Sequence, residues 1–373
     1  MDYIVIASDL HSQNGAWADR PVRGDAYYAM DQIARYVART AASVAAVVLC
    51  GDLLDKHVNP SGPVLMLRRF VRHLKDAGKP VYAISGQHEL GEPQWLADDA
   101  TMIHNTRVEL PNGVSLAGLN YRTHAELGPA LAALPEADVL VAHQVWGEFM
   151  GEHSNPQGWL RDVPAGFRAV WTGDLHQNRC DMIHRPTSGR LLALSPGATC
   201  RQAIDEPDEH YIMLYNTRKP PNDKAAYKRV KLRSRPKLEY QLDNEDVVGE
   251  LLEKIVPDVI EATDTSMPEY VRAPLVRLHY DGTLAGVEHM VRTKLQKAGV
   301  VAHVFGRKTG MVFGDVPECE PDGPAVTLMT EVNETFPPTQ YVLQHSLASQ
   351  LVESSRKPDD VIDEWCANLS GIQ

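Results

Sequence analysis

Five short clusters hold the residues of this chain best suited to chemistry: Asp9-Leu10-His11, Gly51-Asp52-Leu53-Leu54-Asp55, Gly86-Gln87-His88-Glu89, Ala142-His143-Gln144 and Gly173-Asp174-Leu175-His176. Each alone carries little. An Asp-x-His pair is ordinarily a surface loop, a Gly-Asp is a turn, and a lone His143 is a hydrogen-bonded core or loop histidine. The five in order, each at the end of a predicted strand, carry much more, because ligands of α/β sheets bind beyond the carboxyl ends of the strands. Mixed imidazole and carboxylate donors suit Mn, Fe or Zn, and carboxylate-rich sets lean toward Mn or Mg. Glycines ahead of the donors let the backbone turn sharply there.

The chemistry that fits this set is hydrolysis of a phosphate ester. It requires an activated water in line with a leaving oxygen. Two divalent cations about 3.5–4 Å apart supply the acidified water and neutralise developing charge. Asp52 is the natural bridging carboxylate. A histidine that is not a ligand can protonate the leaving alkoxide, and His88 fits that role. Asp55, in the second cluster, joins His88 as a candidate catalytic residue. No Ser-His-Asp or Cys-His arrangement stands out.

Strands are predicted at 3–8, 45–50, 80–85, 114–119, 138–142, 168–172, 191–194 and 211–215. Helices are predicted at about 25–40 and 61–77, with Asp25 and Ser61 as N-caps and Gly78 as a C-cap glycine. Strand-helix alternation implies a largely parallel α/β sheet early on, and the closer-spaced later strands suit antiparallel pairing. A Pro- and Lys-rich segment at 218–237 marks the domain boundary. Beyond it lie a helix at about 244–256 and a strand-helix-strand unit (275–280, 283–298, 300–305), a small α+β domain. The predicted organisation is 1–217, a connector 218–237, a domain 238–335, and a helical tail 336–373. In the tail Leu343, Leu347 and Leu351 recur every four residues, as do Val361, Trp365 and Leu369. Such helices either pack on their own domain or dock on a partner. Gly306–Gly310 reads as a turn. His57 and His153 are placed in loops, exposed or at the mouth of the site.

With 373 residues and a hydrophobic fraction of 43%, the chain can bury a core without disulfides. Its five cysteines are odd in number and widely spaced, which reads as reduced and intracellular, hence cytoplasmic. No run of 18 apolar residues and no signal-peptide pattern is present, so no membrane partner is expected. The net charge of −12 is uneven: residues 218–237 hold nine Lys/Arg and one Asp, a local +8 against −20 elsewhere. Within that run Lys228, Arg229, Lys231, Arg233 and Arg235 are candidate DNA-phosphate contacts, against the ordinary reading of a solvated linker.

These five clusters in order resemble the signature of calcineurin-like metallophosphoesterases, D-x-H, G-D-x-x-D, G-N-H-[DE], G-H and G-H-x-H. Within them the chain is most similar to the SbcD and Mre-eleven nuclease subunits. The stretches GDLLDKHVNPSG, LMLRRFVRHLKDAGKPVYAISGQHE and Ser195–Glu206 carry that resemblance. It is specific over 1–215 and loose from 238 onward. It implies a four-layer α/β (α+β) metallophosphoesterase sandwich, a small α+β capping domain that binds DNA, and C-terminal helices that dock an SbcC-type (Rad-fifty-like) SMC-type ATPase. It further implies a homodimer within a heterotetramer, acting in DNA repair or recombination as an exonuclease on duplex ends and an endonuclease on single strands. Carried over by position, Asp9, His11, Asp52 and His176 hold the first metal, with Asp52 bridging. Gln87, His143 and Asp174 complete the second, and His88 is the catalytic histidine. Gln87 stands where the family has Asn, Asp174 where it has His, Ala142 where it has Gly, and Glu89 where Asp is commoner. Both ligand changes fall on the second metal, and the added carboxylate favours Mn, or Mg, over softer ions. Two further readings share the metal motifs: a stand-alone phosphodiesterase or phosphatase on small substrates, and a non-catalytic DNA-end-binding subunit with a degenerate second site.

Overall fold

A computed structural model describes residues 2–13, 24–57, 59, 61–89, 96–110, 113–150, 156–185, 189–280, 284 and 286–308. The chain divides into two units, Met1–Arg307 and Lys308–Gln373. The predicted tail helices, His153, and 309–335 of the predicted third segment lie outside the described residues. None of the described helices is long and apolar enough to cross a membrane.

The strands are β1 (Tyr3–Ala7), β2 (Val44–Cys50), β3 (Val81–Ile84), β4 (Thr101–Met102), β5 (Arg107–Glu109), β6 (Ser115–Leu119), β7 (Val139–His143), β8 (Ala169–Gly173), β9 (Arg179–Arg185), β10 (Gly189–Ser195), β11 (His210–Asn216), β12 (Tyr227–Leu232), β13 (Lys237–Leu242), β14 (Leu275–Tyr280) and β15 (His303–Lys308). The helices are α1 (Asp25–Arg39), α2 (Ser61–Asp76), α3 (His124–Ala133), α4 (Gly147–Met150), α5 (Glu245–Ala262), α6 (Glu269–Arg272) and α7 (Val287–Lys297). Two six-stranded sheets run β12-β11-β1-β2-β3-β4 and β5-β6-β7-β8-β10-β9, and a three-stranded sheet runs β13-β14-β15.

Strand alternation builds the layers. Successive side chains point to opposite faces, so Ile4 and Ile6 of β1 and Ala46 and Val48 of β2 meet Val139, Val141 and Trp171 of the second sheet in one core. The alternate residues, Val5, Ala7, Val47 and Leu49, pack under α1 and α2 through Ile33, Val37, Leu67 and Phe70. On the far side Leu140, Ala142 and Val170 pack against Leu127 and Leu131 of α3. The order is therefore helices, sheet, sheet, helix. Both central strand sets are buried on two faces, which explains why they read as continuous apolar runs rather than as alternating ones. The pairing is mixed: β1, β2, β3 and β4 are parallel, as are β6, β7, β8 and β10, whereas β11, β12, β9 and β5 add antiparallel edges.

Several local expectations are corrected. Asp25 is not the N-cap of α1; Gly24 holds that position and Asp25 is the first helical residue. Gly306 lies inside β15 rather than in a turn. The helix expected at 244–256 runs on to Ala262 through Pro257. Part of the basic connector is β12, the edge strand of the first sheet.

Candidate metal centre

The first sheet delivers Asp9 and His11 from the end of β1, Asp52 from the end of β2 and Gln87, His88 and Glu89 from the end of β3. The second delivers His143 as the last residue of β7, and Asp174 and His176 from the end of β8. Main-chain pairing continues past the strand ends, with Asp9 N donating to Gly51 O (3.1 Å) and His11 N to Asp52 O (3.0 Å). The donors thus sit on ordered backbone.

That backbone is strained. Five non-glycine residues among those described have positive φ, and four are Asp9, His11, Asp52 and Asp174. Left-handed geometry outside glycine costs energy and persists where surrounding structure fixes it, typically at functional sites. Gly86 is required for a different reason. A Cβ there would lie 2.0 Å from Asp52 Oδ1 and 2.5 Å from Asp52 N, so only glycine lets the two loops meet.

All seven sequence-predicted ligands converge. His11 Nε2 and His176 Nε2 face each other at 3.3 Å, and His176 Nε2 is 3.9 Å from Asp9 Oδ1. Asp52 Oδ2 lies 3.3 Å from His143 Nε2, 3.6 Å from His88 Nε2 and 3.7 Å from His11 Nε2. Asp9 Oδ1 accepts from Asp174 N (3.1 Å), and Gln87 Nε2 donates to Asp174 Oδ1 (3.0 Å). Three overlapping groups have donor atoms close enough to share an ion: Asp9, His11 and His176; His11, Asp52 and His88; Asp9, Asp52 and His143. Asp52 belongs to two of them and lies between the sets.

The donors fit a cation. Cys50 O can only accept, so His143 Nδ1 carries a ring proton (2.7 Å) and Nε2 is the nitrogen that faces the cluster. The Glu206 carboxylate does the same for His176, accepting from its Nδ1. This is how metal-ligating histidines are held in one tautomer. Gln87 spends its NH2 on Asp174, which leaves Gln87 Oε1 and Asp174 Oδ2 buried without hydrogen-bond partners. Buried polar atoms are normally satisfied, and a divalent cation would satisfy both.

The electrostatics agree. Burial alone would raise the Asp52 carboxyl, but His143, His11 and His88 around it outweigh that and hold it below its ordinary range. Burial works against charge on His143, yet Asp52 and Asp9 push its imidazole up to about 10. An ion seated on Nε2 must displace that proton. Burial raises Asp9.

His88 stands at the rim, its side chain about one-third exposed, and its N–H donates to Asp52 Oδ1 (3.1 Å). His57 lies beyond it, exposed, with ring centroids 6.2 Å apart. Asp55 Oδ1 is 3.6 Å from His11 Nδ1, on the far side of that ring from the Nε2 cluster. Two roles escaped the sequence reading, which named Glu89 only within the third cluster and Glu206 only as the end of a motif stretch. Glu206 fixes His176, and nothing in its spacing marks it. Glu89 accepts from Leu54 N and Gly86 N (2.7 Å each), tying the second and third loops together; burial, aided by Asp52, raises it to about 7.

The basic run is corrected in part. Arg235 is buried, donating to both Asp25 oxygens and to Ala273 O and Tyr270 O. It is an internal strut and is withdrawn as a DNA contact. Arg233 pairs with Asp264 and Lys231 with Glu209, while Arg229 lies over the Tyr211 ring. Lys228 and Arg229 are exposed on the edge strand.

Residues 3–178 match the family model for calcineurin-like phosphoesterase. The chain is 23% identical over 274 residues to the DNA double-strand break repair protein Mre11 of Sulfolobus acidocaldarius, a span covering 68% of each chain. The five strand-end clusters gathered on this centre all lie within residues 3–178, the region that matches the calcineurin-like phosphoesterase model.

Proposed function

We propose that this chain is a metal-dependent phosphodiesterase that cuts DNA, and that it holds two divalent ions, Mn before Mg. The observation that carries the reading is the convergence of seven donors, Asp52 among them, with Gln87 Oε1 and Asp174 Oδ2 buried and unpartnered. DNA as the substrate is supported by the likeness to the archaeal break-repair protein. The same likeness, together with the SbcD-type motifs, extends the proposal to a homodimer and an SbcC-type ATPase partner.

Asp9, His11 and His176 would hold one ion, His143, Gln87 and Asp174 the other, and Asp52 would bridge. Bound ions of this kind acidify a water and neutralise charge growing on the phosphoryl oxygens. The protein's own groups do the rest. Glu206 and the Cys50 carbonyl keep the Nε2 atoms of His176 and His143 aimed inward. Asp55 is a positioning residue acting through His11. His88, at the rim and anchored through its N–H on Asp52, would protonate the departing 3′ or 5′ oxygen. Asp174 and Gln87 give the second position two oxygens, which favours a hard ion. Zn activating better than Mn would contradict that assignment.

The test is cleavage of a labelled DNA duplex and a single strand by the full chain, after chelation and with Mn restored. Mn-restored cleavage supports the reading. Hydrolysis confined to a small phosphodiester overturns DNA as the substrate, and no hydrolysis at all, with or without an SbcC-type ATPase, overturns the enzyme.

A further inference from the structure

A second binding feature lies outside the metal centre. A groove of about 590 Å³ runs between α1, the β12 edge and the segment leading into α6. Its walls carry Arg35, Arg39, Lys231, Arg233 and Arg272, with Asp31 as the one acid among the described lining residues. Asp31, Glu209 and Asp264 answer Arg35, Lys231 and Arg233. Five cations against three carboxylates leave a positive groove on a chain whose net charge is −12. Arg39 is exposed, and Arg272 donates to Met267 O rather than to a carboxylate.

The strand registers place this groove relative to the metal centre. Ile6 pairs with Met213, and Met213 with Arg229. Past that pairing Ser8 bridges Ala198, and Ala198 O accepts from His210 Nδ1, so the chain at Ala198 lies between the end of β1 and His210, which pairs with Leu232. One end of the groove, at Leu232 and Arg233, therefore lies on the Asp9 side of the sheet, more than two strand spacings away, or beyond about 10 Å. Arg39, at the other end of α1, lies toward the opposite end of the sheet. A polymer engaged at the centre is long enough to span that distance, whereas a small ester is not.

Two observations select the occupant. Four of the five cations are arginines, whose planar forks suit phosphate. A peptide strand cannot extend the sheet along this edge at Arg233, because the Gln32 side chain already takes both backbone positions, accepting from Arg233 N (2.8 Å) and donating to Arg233 O (2.9 Å). We infer that this groove is a tracking site for the phosphate backbone of a single nucleic-acid strand, outside the catalytic centre. Its polymer rests on the nuclease reading, but binding reports the groove and cleavage reports the centre.

The experiment uses the full chain in EDTA, with a fluorescent single-stranded 20-mer titrated at several salt concentrations. Arg35→Glu/Arg39→Glu changes two exposed side chains of α1, and Lys231→Glu is a second, independent probe on β12; melting curves check folding. The expected result is about tenfold weaker binding for the double variant. Its salt slope should be shallower by about 1.4, at ~0.7 for each lost single-strand phosphate contact, with turnover of a small phosphodiester in Mn unchanged. Affinity within twofold of wild type in both variants overturns the site. So does a polyglutamate peptide that competes as well as unlabelled strand. Weakened binding with intact small-ester turnover but no DNA cleavage by wild type would sink the nuclease reading and leave the groove standing.

Discussion

The two halves of the centre are built from the same strand ends but finished differently. In the first half, Asp9, His11 and His176 present two facing imidazoles, and Glu206 locks His176 from behind. In the second, His143 is locked by a main-chain carbonyl, and the other donors are oxygens of Gln87 and Asp174 that fix each other through one hydrogen bond. The first half is set by residues from β1, β8 and the loop before β11, the second by β3, β7 and β8. The difference teaches that the second half can change chemistry by two side-chain substitutions, because its donors support one another. The first is held by a carboxylate 30 residues downstream in sequence.

Substitutions can break this comparison, starting with the carboxylate both halves share. Asp52→Asn removes the charge between the two halves and leaves His143, His11 and His88 facing a neutral amide. We expect at least a thousandfold loss of phosphodiester turnover, several kcal/mol of barrier, with metal content per chain falling in both halves. Retained stoichiometry and turnover would show that Asp52 does not bridge.

Glu206→Gln probes the first half alone. The amide cannot hold the His176 Nδ1 proton as the carboxylate does. Loss of such an outer partner typically costs 10- to 100-fold in metal affinity, and calorimetry should show one of two Mn sites weakened. Equal weakening of both would mean that the halves are not independent.

Gln87→Asn with Asp174→His probes the second half. It shortens one amide and replaces an oxygen by a nitrogen. The expected effect is the smallest: the order of activation shifts from Mn toward Zn by a few-fold, with the first site's affinity unchanged. An unchanged metal order would show that these two residues do not set the preference.

Much of this was readable before any coordinates. The eight predicted strands and the first two helices are all present, because doubly buried strands write long apolar runs and the ligand clusters mark their ends. Other elements were silent for physical reasons. β9 (RCDMIHR) is an edge strand with half-buried, charged residues and no apolar pattern. β4 has two residues. α3 carries Gly128 and Pro129 and little amphipathic contrast, and its one clear signal was the Thr123–Glu126 capping box. The seven converging donors were legible as an ordered motif. The roles of Glu206 and Glu89 and the Asp25–Arg235 strut were not, since each depends on a tertiary contact between segments far apart in sequence.

The measurement that bears most directly on the central claim is Mn stoichiometry and DNA cleavage for wild type and His88→Ala, side by side. A catalytic histidine at the rim that is not a ligand predicts two Mn per chain in both proteins, with cleavage reduced about 10²- to 10⁴-fold in the variant. A variant that loses an ion along with its activity would make His88 a ligand. A wild type that binds one ion, or that binds two and leaves DNA intact, would contradict the two-metal nuclease.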